Sequence, residues 1–318
     1  MSTILITGAG SFTGTHLARL LKATGDSAVI GSDMPGQPAW MPTAEFQPCD
    51  IRSGAEVSRL LDSVQPDTVY HLAGVSDEND SSALIRVNLE GTWNLLEACR
   101  RLERLPRVLL VGSAAGYGPQ PDAVDALRED MPACPTTLYG FSREAELALG
   151  QLAGRRWGLP VFLCRVFNLI GPGLSERYAP AAILRRLLAC SEAAPTAFPL
   201  RNGDVIRDFV DVRDVVRAYS LILERGQPEV IYNIGTGQGV SLLELTTRLA
   251  QIAGRPVSIV KAEGGNGAER SAADRSIANH DRLTRDTGWQ PEIPLEQSLA
   301  DMARLTMAEG EACRSCSS

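Results

Sequence analysis

The chain has 318 residues, 44% of them hydrophobic and 22% charged, with a formal net charge of −7 and three histidines. That is an ordinary globular composition, long enough for one large core or two fused ones. The negative charge argues against a general polyanion-binding face, whether for a nucleic acid polymer or an anionic membrane, because the long-range field repels such partners.

No window approaches the ~18 consecutive apolar residues of a membrane-spanning helix. The sequence passes from Met1 straight into an apolar strand without a charged, cleavable leader, which predicts a cytoplasmic protein with no membrane partner. Seven cysteines is an odd number, and Cys49, Cys99, Cys134, Cys164 and Cys190 are scattered through apolar contexts, as reduced thiols are. Cys313 and Cys316 have redox or metal spacing but lie in a polar tail with no second pair, so no metal site is expected.

In chain order, short β-branched runs at Ile4 to Thr7, Ala28 to Ser32, Thr68 to Leu72, Val108 to Gly112 and Val161 to Val166 are each followed by an amphipathic stretch. Such alternation predicts an α/β fold, a doubly wound parallel sheet with helices on both faces. After Asn168 the regularity fails. Segments rich in Gly, Pro and Arg then interrupt two further helical regions. The expected organisation is a dinucleotide-binding domain over residues 1–167, with 208–236 returning to it. A smaller mixed α/β substrate domain is expected from 168–207 and 237–318.

The first strand runs into Gly8-Ala9-Gly10-Ser11-Phe12-Thr13-Gly14 and then a helical pattern. Glycines there permit a tight turn and let a pyrophosphate sit on the helix N-terminus, where unpaired N–H groups favour negative charge. The second strand ends in Asp33, nineteen residues past Gly14. A carboxylate there accepts hydrogen bonds from an adenosine ribose diol and repels a 2′-phosphate, which favours NAD(H) and leaves NADP(H) open. Asp50-Ile51, at the expected end of the third strand, could meet the adenine or cap a helix. Leu72-Ala73-Gly74 ends the fourth strand beside the expected pyrophosphate.

Together with Val87-Asn88-Leu89-Glu90-Gly91-Thr92, Tyr139 and its helix, Arg165 to Gly173 and Arg207 to Val212, these motifs give a resemblance over nearly the whole chain. The sequence resembles the extended short-chain dehydrogenase/reductases that act on nucleotide sugars, the NAD-dependent epimerase/dehydratase family. Within it, the reductases of GDP-linked 4-keto-6-deoxyhexoses are most similar. The resemblance implies a Rossmann-type sheet and a nucleotide-diphosphate sugar as substrate. One departure is in the glycine turn, where Ser11 occupies the family's middle glycine and Gly10 precedes it.

Hydride transfer at a sugar carbon needs a general acid/base near neutral pH, and a tyrosine, whose phenol ordinarily titrates at about 10, serves only if a cation favours its phenolate. Tyr139 and Arg143 have that i,i+4 spacing, with arginine standing where the family has lysine. Guanidinium is planar and longer than an ammonium, so orientation of the nicotinamide ribose is affected more than the charge. Only Lys22 and Lys261 are lysines, so 29 of the 31 basic residues are arginine. The chain therefore uses arginine wherever a cation is tolerated. By resemblance, Ser113 hydrogen-bonds the reacting sugar oxygen. The related 4,6-dehydratases carry an Asp-Glu pair after that serine, whereas Ala114 and Ala115 here can neither give nor take a proton.

The resemblance also assigns Arg207 and Arg270 to the substrate pyrophosphate, Asn168 to the phosphate or sugar, and Asn88 to a helix kink beside the tyrosine. The acidic loop Val75 to Ser82, with Asp77, Glu78 and Asp80, borders the sugar in this family and is shorter than expected of the reductases. Apolar stripes on the helices around Leu84 to Arg104 and Thr137 to Gly154 imply core first, and by resemblance a homodimer through a four-helix interface. Three readings stay open: a 4-ketosugar reductase, a 4-epimerase that retains NAD, and a dinucleotide-binding regulator without turnover.

Overall fold

A computed structural model describes residues 2–25, 27–36, 45–120, 125–262 and 275–315. The first half alternates strand and helix: β1 (Ser2–Thr7), α1 (Phe12–Thr24), β2 (Ser27–Ser32), β3 (Glu45–Phe46), α2 (Gly54–Val64) and β4 (Thr68–His71). A short α3 (Ser81–Ala83) leads through a π-helical segment (Leu84–Gly91) into α4 (Thr92–Cys99). Then come β5 (Arg107–Ser113), a 3₁₀ turn (Ala114–Tyr117), α5 (Leu138–Trp157) and β6 (Val161–Val166). The second half contains β7 (Asn168–Ile170), α6 (Ala179–Leu188), β8 (Thr196–Leu200), β9 (Ile206–Asp211), α7 (Val212–Arg225) and β10 (Ile231–Ile234). It ends with β11 (Gly239–Ser241), α8 (Leu242–Ile252), β12 (Val257–Lys261), β13 (Arg275–Ser276), α9 (Asp281–Thr287) and α10 (Leu295–Ser315).

Seven parallel strands form the main sheet in the order β10-β6-β5-β4-β1-β2-β3. Its strands are apolar along their length because helices cover both faces. Ile4, Ile6 and Leu109 pack with Leu17 of α1 and Val215 and Tyr219 of α7. The intervening Leu5 and Leu110 pack on the opposite face with Leu61 of α2, Leu95 of α4 and Leu147 of α5. Side-chain hydroxyls of Ser11, Ser53 and Thr137 accept backbone N–H groups at the starts of α1, α2 and α5. Each such cap contributes about 1 kcal/mol. The strand order reverses between β1 and β4, which opens a crevice at their carboxyl ends.

A second sheet joins β7, β9, β11 and β13, and β8 pairs with β12. Leu184, Leu187, Leu245, Leu249 and Leu299 form the core beneath them. Two details differ from the sequence reading. The third strand ends at Phe46, so Asp50 and Ile51 lie in the turn before α2, whose cap is Ser53. Residues 208–211 belong to β9 in the smaller sheet, and the chain re-enters the main sheet through α7 and β10.

Candidate active site

The crevice is built first by glycine. Gly8 has φ +70°, and a Cβ there would fall 2.5 Å from the Ala73 nitrogen, so the β1–α1 turn and the end of β4 touch backbone to backbone. A Cβ on Gly14 would fall 2.4 Å from the Gly8 oxygen. Asp33 fixes the turn from the side: its Oδ2 accepts the Gly10 N–H at 2.9 Å and its Oδ1 that of Met34 at 2.8 Å. Ser11 turns its hydroxyl onto α1 and accepts the Gly14 N–H at 3.1 Å.

Gly8, Gly10, Ser11, Asp33 and Met34 line a cleft of about 520 Å³ together with Asp50, Ile51, Leu72, Ala73 and Gly74, a size in the range of cofactor sites. Arg52 donates to both oxygens of Asp50, and this contact holds the carboxyl below its ordinary range. Other expected residues stand around the cleft rather than on its lining. Gly14 is buried, and Phe12 packs against the core of the smaller lobe with its ring edge-on to His16. Asn88 is fully buried in the π-helical segment. Its Oδ1 accepts the Val75 N–H at 2.9 Å, while Nδ2 donates to the Val75 carbonyl at 3.0 Å and to Ser142 Oγ at 2.9 Å. Ser142 in turn donates to the Tyr139 carbonyl at 2.8 Å, so Asn88 ties the loop after β4 to the first turn of α5.

That first turn carries Tyr139 and, one turn on, Arg143. Ser113 ends β5, and its hydroxyl accepts the Ala115 N–H at 3.2 Å. A Cβ on Gly140 would lie 2.5 Å from the Ala115 oxygen, so the turn after Ser113 rests directly on the start of α5. The Tyr139 N–H donates to Glu78 Oε1 at 2.9 Å. The other acids of that loop also have local partners: Asp77 accepts from Asn79 and Asp80 caps α3.

Arg143 places its Cζ 5.6 Å from the centre of the Tyr139 ring. Its Nη1 donates to Glu146 Oε2 at 2.8 Å and lies 3.4 Å from the Val111 carbonyl, and its Nη2 rests against Gly74 at the cleft. Burial disfavours this charge, but Glu146 and then the Tyr139 phenol outweigh it and hold the guanidinium above its ordinary pKa. Behind the pair lies His71, fully buried, with Nδ1 2.7 Å from Thr7 Oγ1 and Nε2 3.0 Å from Thr92 Oγ1. Thr92 spends its own proton on the Asn88 carbonyl at 2.7 Å. His71 Nε2 must therefore carry a ring proton, and in the neutral ring Nδ1 accepts from Thr7. Burial, and then the charge of Arg143, push this imidazole down to about 3.

On the smaller sheet, Asn168 of β7 pairs with Phe209 of β9, two residues from Arg207. Asn168 Nδ2 donates to the Asp208 carbonyl at 3.3 Å, and Arg207 Nη1 to the Ile206 carbonyl at 2.9 Å. Arg270 and Cys316 lie outside the described residues. Among the described residues no cluster of three His, Cys, Asp or Glu side chains could hold a metal, and no helix is long and apolar enough to cross a membrane. The sequence reading missed Glu146, a carboxylate on the buried stripe of α5, and Arg177, which lines the cleft. The signal available for Glu146 was a charge at a position where helical spacing calls for an apolar residue.

Residues 4–235 match the NAD dependent epimerase/dehydratase family. The chain is 33% identical over 239 residues to a GDP-6-deoxy-D-mannose reductase of Pseudomonas aeruginosa, covering 74% of this chain and 78% of that protein. The solved structure of RMD from Pseudomonas aeruginosa complexed with NADPH superposes with a TM-score of 0.84 at 28% identity, covering 97% of this chain and 100% of that one. A Thermus thermophilus UDP-glucose 4-epimerase in complex with NAD superposes with a TM-score of 0.83 at 25% identity, covering 96% and 99%. The crevice at the strand reversal, the tyrosine on α5 and these matches agree, and the chain belongs to the NAD dependent epimerase/dehydratase family.

Proposed function

We propose that the protein reduces the C4 ketone of a nucleotide-linked 4-keto-6-deoxyhexose. The observation that carries this reading is the placement of Tyr139 and Arg143 together on the first turns of α5, with the guanidinium against Gly74 on the wall of the glycine-built cleft. A nicotinamide nucleotide bound in that cleft supplies the hydride. The residues that would hold it fit: Gly8 and Gly10 allow close backbone approach, and Asp33 presents a carboxylate at the end of β2. That carboxylate supports NAD(H) over NADP(H), since Met34, Pro35 and Gly36, which follow it, offer no cation for a 2′-phosphate.

Tyr139 gives its phenolic proton to the sugar oxygen as that oxygen gains charge, and Arg143 stabilises the phenolate left behind. Ser113 hydrogen-bonds the same oxygen and fixes the ketone in line with the phenol. Asn168 and Arg207 face the phosphates from the smaller lobe, built from residues 168–211 and 237–318, and the family resemblance adds Arg270 to that role. Ala114 and Ala115 offer no proton relay, which argues against dehydration. A homodimer fits the half-exposed Phe141 and the apolar furrow of about 640 Å³ between the α4 and α5 regions, walled by Leu89, Trp93, Leu149 and Leu152.

The test is a screen of GDP- and UDP-linked 4-ketosugars with NADH and NADPH, following nicotinamide absorbance and product NMR. A reductase consumes one NADH per ketosugar. Tyr139→Phe is expected to lower kcat by roughly 10²–10⁴-fold with NADH affinity held. Interconversion of nucleotide hexoses without net cofactor use would replace this reading by a 4-epimerase. Cofactor binding with no turnover on any ketosugar or nucleotide hexose would leave a regulator.

A further inference from the structure

The mechanism above makes no use of the buried charge of Glu146. Glu146 is fully buried on the inward stripe of α5, three residues past Arg143, in a position that packing alone would give to an aliphatic side chain. Its Oε2 takes Arg143 Nη1 at 2.8 Å, while its Oε1 has no hydrogen-bond partner and lies 3.9 Å from His71 Nε2. An ion removed from water at such cost is kept only where another charge needs it. That other charge is Arg143. One face of the guanidinium is anchored on Glu146 and Val111, its Nη2 fills the space left by the missing side chain of Gly74, and its Cζ stands over the Tyr139 ring.

We propose that Glu146 is a positioning residue: it draws the Arg143 guanidinium toward the sheet, shares its charge with Tyr139, and so sets how strongly the phenolate is favoured. The pair does with two residues and a fixed geometry what the single mobile charge of a lysine does. The inference rests on the reading of Tyr139 as the proton donor. The titratable groups around the Glu146–Arg143 pair are Tyr139 on α5, His71 on β4, Cys164 on β6 and Tyr219 on α7. Burial and the charge of Arg143 keep His71 neutral, and burial pushes the Cys164 thiol and Tyr219 phenol up, which leaves Arg143 as the cation the carboxylate answers to. Burial also pushes the Glu146 carboxyl up to about 7, against the pull of Arg143, so it is ionised in the alkaline range where a phenol titrates.

The experiment titrates Tyr139 directly, by tyrosinate absorbance of the full-length protein minus that of Tyr139→Phe, in wild type, Glu146→Gln, Arg143→Lys and the double variant. NADH affinity is measured in parallel. Removing the carboxylate charge while keeping its shape is expected to lower the phenol midpoint by about one pH unit, a tenfold gain in phenolate. Arg143→Lys alone is expected to raise the midpoint and weaken NADH, because the ammonium is drawn to Glu146 and cannot span to Tyr139. Both losses are expected to shrink roughly tenfold in the Glu146→Gln background. An unmoved midpoint in a folded Glu146→Gln variant, with only its melting temperature changed, would make Glu146 structural and overturn the proposal. Should that variant not fold, Arg143→Lys decides alone, and a lowered midpoint or tighter NADH binding overturns it. Since neither readout requires turnover, a failed ketosugar screen would refute the proposed reaction without touching this test.

Discussion

Replacing Gly74 by alanine adds one methyl group at the point where the cleft wall meets the guanidinium. The new Cβ would lie 2.2 Å from Arg143 Nη2 and 2.8 Å from Cζ and Nη1. Non-bonded contact needs roughly 3.5 Å, so the guanidinium must retreat by about 1 Å. Its 3.4 Å approach to the Val111 carbonyl would be lost, and its 2.8 Å bond to Glu146 stretched toward the limit of an ion pair. Gly74 is not among the residues of positive φ, so the backbone itself accepts alanine and the whole penalty falls on the arginine. Overpacking of this kind costs about 1–3 kcal/mol. About 2 kcal/mol, expressed in NADH affinity, is roughly a 30-fold rise in Kd. The assay is a fluorescence titration with NADH on Gly74→Ala, Arg143→Lys and the double variant, with thermal melts alongside. Lysine ends in a single nitrogen and can withdraw from the methyl group, so the double variant is expected to recover about 1 kcal/mol against the sum of the singles. Strict additivity would mean that the guanidinium does not rest on Gly74, and the account of the site would fail with it.

Three further outcomes are expected. Asp33→Asn removes the charge that opposes a 2′-phosphate and should shift the ratio of NADPH to NADH affinity by about tenfold toward NADPH; an unchanged ratio would exclude Asp33 as the selector. His71, held neutral down to about 3 against 6.5 in the unfolded chain, gives stability that is complete above 6.5 and is lost as pH falls through that window. Glu146, raised to about 7, acts with opposite sign between its unfolded value of 4.5 and 7, so the two offset one another until pH drops below 4.5. From 4.5 to 3 wild type should lose about 2 kcal/mol more than His71→Gln in urea unfolding, and parallel curves would refute the neutral assignment. Glu78→Gln weakens the bond to the Tyr139 N–H at the start of α5 and is expected to cost about 0.5–1 kcal/mol by thermal melt. Its KM for the ketosugar should rise more than its Kd for NADH, and equal changes would place Glu78 outside the sugar end of the site.

Much of this arrangement is legible in the sequence. The alternation of apolar runs and amphipathic stretches locates β1, β2, β4, β5 and β6 to within a residue or two, because strands covered on both faces read as near-continuous apolar runs. The glycine turn is readable because only glycine allows backbone to meet backbone, as Gly8 meets Ala73. The third strand is misplaced because two residues, Glu45 and Phe46, carry no periodicity. The assignment of β9 to the smaller sheet is equally hidden, since pairing partners are chosen by distant segments and a short strand reads the same in either sheet.

What the sequence alone determined is what depends on local chemistry: the strand–helix rhythm, the glycines of the cradle, the carboxylate at Asp33, the i,i+4 spacing of Tyr139 and Arg143, and the lack of an acid–base pair at Ala114 and Ala115. What only the tertiary structure decided is how charge is distributed around that tyrosine. Spacing put an arginine near a phenol; folding put Gly74, Val111, Glu146 and His71 around the arginine's far end. The direction of a buried guanidinium is fixed by where its hydrogen-bond acceptors are, and those acceptors come together only when β4, β5 and α5 pack.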